Sequence, residues 1–166
     1  AGLPLALTFT TAPPPPANDD CAAPTALTVA TSCTPVTATT QGATASASPV
    51  PAPGCTTGAV NDVWFSLPVP ANGIVQVTTG QVSGSPVTDT GLQLFTGTCG
   101  ALTSIGCNDN FGSSNFSQVR ATGLTPGATV YARVWQVGST NAGQFTICAA
   151  TDPPCPAVTG LAASGI

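Results

Sequence analysis

The sequence has no lysine, no glutamate and no histidine. Its six acids are all aspartates, and its two cations are Arg120 and Arg133. Charged residues are 5% of the 166, against about a quarter in an ordinary globular protein. Each absence excludes a chemistry. Without His, Glu or Lys there is no paired acid–base set, and a serine nucleophile has only Asp or Tyr131 to serve as its base. The cysteines have neither a His partner nor a cationic cluster to hold a thiolate. Zinc lacks both histidine and a CxxC pair. An enzyme is therefore not expected. With two cations and a net charge of −4, the chain offers no phosphate-binding surface, which argues against nucleic acid as a partner. No apolar run reaches the ~20 residues that a membrane helix needs, so membrane insertion is not expected. No segment carries the helical period.

What is present points to strands and turns. There are 18 glycines and 17 prolines, with abundant Thr, Ser and Val. Hydrophobic residues reach 42%, enough for a core, and the length fits one domain plus tails. Seven cysteines indicate an oxidising, extracellular or cell-surface setting. A start at Ala1 fits a processed secretory product.

The stretch Asp89 to Asn110, DTGLQLFTGTCGALTSIGCNDN, organises the chain. Leu92, Leu94 and Phe95 lie in one short strand-like run, and Leu102 and Ile105 in the next. Gly97, Gly100 and Gly106 punctuate them, and Asn108-Asp109-Asn110 closes the unit. The pattern predicts a β-hairpin. This run resembles the repeated β-sandwich modules of secreted surface proteins in Bacteroidetes-like bacteria, which are similar to the bacterial pre-peptidase C-terminal (PPC-like) domain. Asn18-Asp19-Asp20-Cys21 and Gly123-Leu124-Thr125-Pro126-Gly127 match phrases of the same modules. The resemblance spans about residues 18–150 and implies a secreted β-sandwich.

Taken in order, residues 1–12 alternate, with Leu3, Leu5, Leu7 and Phe9 on one parity, the pattern of a strand with one buried face. The regular alternation and the missing positive n-region favour a strand over a signal-peptide remnant. Residues 13–17 open with four prolines, a rod of roughly 12 Å. The strand is either donated to a neighbouring copy of the chain or paired within its own sandwich. Further strands are expected at 26–31, 36–40, 62–69, 74–79, 116–121, 129–137 and 143–149, with a long irregular loop over 41–61. The fold class is all-β: an antiparallel sandwich or jelly roll of about eight strands, with an extended N-terminal strand and disulfides. Residues 151–166 read as a linker and the opening of a fibronectin type III-like segment.

Strand adjacency favours Cys99–Cys107; Cys33–Cys55 would pin the long loop, and Cys21–Cys148 would tie the first segment to the last strand. Cys155 is left over. Sequence alone does not fix connectivity. Calcium is the one metal that suits the acids. PPC-like domains can bind calcium through acids near their opening segment, and Asp20, Asp89 and Asp109 are the candidate ligands. Their other reading, and that of Asp62 and Asp152, is turn capping. Trp135 and Tyr131 share a strand face and are either a sugar platform or core. The function expected is a structural subunit of an extracellular filament or adhesin, assembled from copies of itself through the N-terminal strand. The alternative is a calcium-stabilised accessory module that binds extracellular polysaccharide or protein.

Overall fold

The computed structural model describes residues 12–56, 58–138 and 141–153. The candidate donor strand with Leu3, Leu5, Leu7 and Phe9, and also Cys155, lie outside them. Among the described residues ten strands form two sheets: β1 (Thr25–Ala26), β2 (Val29–Ala30), β3 (Val36–Thr39), β4 (Asp62–Pro68), β5 (Val75–Gln81), β6 (Thr90–Thr98), β7 (Ala101–Asn108), β8 (Gln118–Ala121), β9 (Thr129–Gln136) and β10 (Gln144–Ala150). The first sheet runs β1-β4-β9-β6-β7 and the second β2-β10-β5-β8, with β3 also on β10.

Alternation builds the core. Val63, Phe65 and Leu67 of β4, Leu92 and Leu94 of β6, and Val130, Ala132 and Val134 of β9 point between the sheets. They meet Val75, Val77, Phe145 and Ile147 of the second sheet. The expected hairpin is β6–β7, with Thr98 opposite Ala101 across a two-residue turn. Gly97 has φ +99°, and a Cβ there would lie 2.3 Å from the Ala101 carbonyl oxygen, so only glycine fits this bend.

Two features differ from the sequence reading. The single strand expected over 26–31 is two short pieces. β1 pairs with β4 and β2 with β10, so the segment passes from one sheet to the other. Leu27 is buried at the crossing. The expected disulfides are also replaced. The bridges are Cys21–Cys99, Cys33–Cys148 and Cys55–Cys107. Cys99 cannot reach Cys107: Cys99 sits in the hairpin turn, and Cys107 faces Gln93 well along β6, roughly 20 Å away at strand rise. Cys33–Cys55 fails because Cys33 precedes β3 beside β10, whereas Cys55 packs outside the other sheet at Cys107. Cys21–Cys148 fails because Cys21 packs with Trp64 and Phe95 outside the first sheet, while Cys148 lies in β10 of the second.

Candidate functional site

The outward parity of the first sheet carries most of the chain's conspicuous side chains, and it is covered. Asp62 and Trp64 of β4, Gln93 and Phe95 of β6, and Arg133 and Trp135 of β9 are all buried. Residues of the 41–61 loop lie over them. Arg133 Nε donates to Asp62 Oδ2 at 2.7 Å, and its Nη1 donates to the Pro51 carbonyl at 3.0 Å. The guanidinium lies 5.7 Å from the Trp64 ring and 5.6 Å from the Trp135 ring. Ser46 N donates to Asp62 Oδ1, and Trp64 Nε1 donates to Ser46 Oγ, each at 2.8 Å. Gln93 accepts from Gly54 N and donates to Ser104 Oγ. Asp62 is thus the counter-ion of a buried arginine as well as an anchor for Ser46. Trp135 is fully buried, which removes the sugar-platform reading of Trp135 and Tyr131. This layer is a joint between loop and sheet.

The opening segment closes the joint. Asn18 exchanges backbone and side-chain hydrogen bonds with Trp64, at 2.8 and 2.9 Å. Asp19 accepts from Thr44 N at 2.7 Å and from its hydroxyl at 2.8 Å. Asp152 pairs at 2.5 Å with Arg120, both half-exposed, a type of pair that contributes little to stability.

A second locus lies at one end of the first sheet, where β9, β6 and β7 are neighbours. Asp89 immediately precedes β6, Asp109 immediately follows β7, and Gln136 ends β9. Gln136 stands opposite Thr90, and Leu92 opposite Asn108. Among the described residues the buried oxygens Asp89 Oδ1, Asp109 Oδ1 and Gln136 Oε1 have no hydrogen-bond partner, and neither has Trp135 Nε1. Asp109 Oδ2 accepts from Asn110 at 3.1 Å. Burial, and next the charge of Asp109, push the Asp89 carboxyl above its ordinary range, against a lowering pull from the Thr90 backbone.

The structure therefore gathers two of the three candidate calcium ligands and separates the third. Asp20 adjoins Cys21, which is bridged to Cys99 at the hairpin turn. The nine residues of β6 stand between that turn and Asp89, roughly 30 Å. Among the described residues no group of three or more acids, Cys or His assembles. Gln136, at the same end of the sheet, is a buried amide that sequence reasoning passed over. The available signal was parity: Gln136 continues the inward face of Val130 and Val134.

A third locus is an apolar groove of about 340 Å³ on the flank where the chain crosses between sheets, lined by Ala26, Leu27, Val36, Ile147 and Ala149. Val36 is 47% exposed there. Among the described residues β3 pairs only with β10. No helix among them is long and apolar enough to cross a membrane.

Among curated proteins none matches the chain. Of solved structures, the pre-peptidase C-terminal domain of collagenase from Bacillus anthracis is similar, with a TM-score of 0.43 and 10% identity over 76% of this chain and 95% of that chain. Residues 17–147 match a T9SS-associated family described as galactose binding domain-like. Three disulfides together with that secretion association place the module outside the cell, in an oxidising setting. The chain belongs to the T9SS-associated family of galactose-binding-domain-like modules, as a secreted β-sandwich accessory domain.

Proposed function

We propose that this chain is a non-catalytic structural module of a secreted surface protein or filament. In this reading the strand bearing Leu3, Leu5, Leu7 and Phe9 adds to the flank groove of a neighbouring copy. The observation that carries it is the groove itself. It is apolar, and it lies on the flank where β1 and β2 each add two residues to a sheet and β3 lies along β10. Main-chain pairing at such an edge supplies affinity, and alternate side chains supply specificity. Burying four large apolar side chains is worth ~6–12 kcal/mol gross, and ordering about ten residues costs a comparable amount. Repetition along a fibre adds the surplus. The non-catalytic part rests on the engagement of the ionisable groups: Arg133 with Asp62, Arg120 with Asp152, and six cysteines in bridges.

The test is negative-stain microscopy and light scattering of the full chain, a chain lacking residues 1–17, and a Val36→Asp variant. Filaments or concentration-dependent oligomers are expected in the first and not in the other two. Monomers throughout would overturn the assembly reading and return the N-terminal strand to its own sandwich. The family description favours a second reading, an accessory module that holds polysaccharide. A glycan array probed with the chain lacking residues 1–17 distinguishes the two, because binding there does not need the strand.

A further inference from the structure

We propose that Asn72 is a modification site: its carboxamide fastens the chain that leaves β10, and deamidation at the Asn72-Gly73 bond unfastens it. Asn72 is exposed in the turn between β4 and β5, and it alone among the asparagines precedes a glycine. Its Nδ2 donates to the Asp152 carbonyl at 3.0 Å, across 80 positions of sequence. Its Oδ1 accepts from the Thr151 hydroxyl at 2.9 Å and from Ile74 N at 3.1 Å, the second bond making an Asx turn. The Thr151 hydroxyl also lies 2.8 Å from the Ile74 carbonyl oxygen. One surface amide thus joins the outgoing segment to the start of β5. The segment has little packing beneath it, because a cavity of about 270 Å³ lies against Gln76, Thr151, Asp152 and Pro153.

The reaction needs only water. Gly73 N attacks Asn72 Cγ, a new C–N bond closes a succinimide, and the Cγ–Nδ2 bond breaks. The amide proton of Gly73 leaves with Nδ2 as ammonia. Water then opens the ring at either carbonyl, giving aspartate or the β-linked isoaspartate. A glycine nitrogen is the least shielded nucleophile for this step, since no side chain stands beside it. The donors on Oδ1 stand where charge develops as Cγ is attacked. The restraint lies with the nucleophile. Gly73 N donates to the Pro70 carbonyl at 2.9 Å, and the Gly73 carbonyl accepts from Leu124 N at 3.0 Å. Gly73 has φ +68°, and a Cβ there would lie 2.7 Å from the Leu124 carbonyl oxygen. The closed turn turns the nitrogen away from Cγ, and conversion waits for the turn to open.

Either product undoes the fastening. Aspartate places an oxygen where Nδ2 donated, so acceptor faces acceptor at the Asp152 carbonyl. It also adds a negative charge beside a residue whose own carboxylate is paired with Arg120. Isoaspartate adds a backbone atom to the turn that the Pro70 and Leu124 bonds close. The bond from Thr151 N to the Ala30 carbonyl, 2.9 Å, is then left to hold the segment without its neighbour. The exit from the domain passes from a fixed joint to a hinge. This site uses neither the flank groove nor residues 1–12, so it stands apart from the assembly and polysaccharide readings.

The experiment ages the full, oxidised chain in warm, mildly alkaline buffer and maps amide-to-acid conversion by peptide mass spectrometry. Asn72 is expected to convert before any other asparagine, and several-fold faster in the urea-unfolded chain than in the folded one. Hydrogen exchange reads the consequence. Asn72→Asp should speed exchange of the Thr151 and Asp152 amides roughly tenfold, the scale of one lost hydrogen bond. Asn115→Asp, which places the same charge at another exposed asparagine, should leave them unchanged. A different asparagine converting first in the folded chain would overturn the site, and equal rates in the folded and unfolded chains would overturn the restraint. Unchanged exchange at 151–152 in Asn72→Asp would overturn the fastening. Should that variant fail to fold, the deamidated fraction of the aged chain, separated by ion exchange, takes the same measurement with the same two outcomes.

Discussion

Arg133 carries its charge in a layer that water does not reach, 3% exposed against a fully buried Asp62. Each partner is costly to leave alone there, because a lone buried charge keeps its desolvation penalty without the attraction that offsets it. Asp62→Asn or Arg133→Met is expected to cost about 3–5 kcal/mol in urea unfolding. The double variant should cost clearly less than the sum, since it removes both charges together. Equal additivity would show that the two residues act through separate contacts. Gly91 belongs to the same scale. A Cβ there would fall 2.2 Å from the Trp135 ring, so this glycine exists to admit the indole.

At the scale of the element, the β6–β7 hairpin, the buried β4 and the β9 strand were legible because period-two alternation and glycine turns are local signals. The 25–30 segment was misread because its pairing partners, Phe65–Ser66 on one sheet and Ala149–Ala150 on the other, are long-range. The disulfides failed for the same reason. The spacing of Cys99 and Cys107 says nothing about which residues of a hairpin face each other. Asp89 and Asp109 were legible as a pair of candidates. Asp20 was attached to them by resemblance, and only the hairpin's length separates it. The role of the 41–61 loop was hidden because a roof of Ala, Ser and Pro has no periodic signature. Its cover can be opened. Replacing Cys55 and Cys107 by serine is expected to destabilise the fold by up to about 4 kcal/mol. It should also make tryptophan fluorescence accessible to a soluble quencher. Unchanged quenching would mean that Gly54, Pro51 and Ser46 hold the roof without the bridge.

At the scale of the molecule, the three bridges share one plan. Each joins a cysteine of the first third of the chain, Cys21, Cys33 or Cys55, to one on the sheets that follow, Cys99, Cys148 or Cys107. The first part of the chain is thus stapled over a sandwich that the rest of the chain builds. The Cys33–Cys148 bridge also defines a mechanical path. Tension applied near the two ends of the domain passes from Cys33 directly to Cys148, 115 positions further along the sequence, and bypasses the residues between them. Those residues hold roughly 400 Å of extended chain. In single-molecule pulling, the oxidised module is expected to withhold that length, and the reduced module to release it in full. A release of the same length before and after reduction would show that the bridge bears no load. With the bridge intact, each module behaves as a closed link whose two ends stay near each other whatever happens to its sheets. A secreted protein built from such links can be stretched by flow without lengthening.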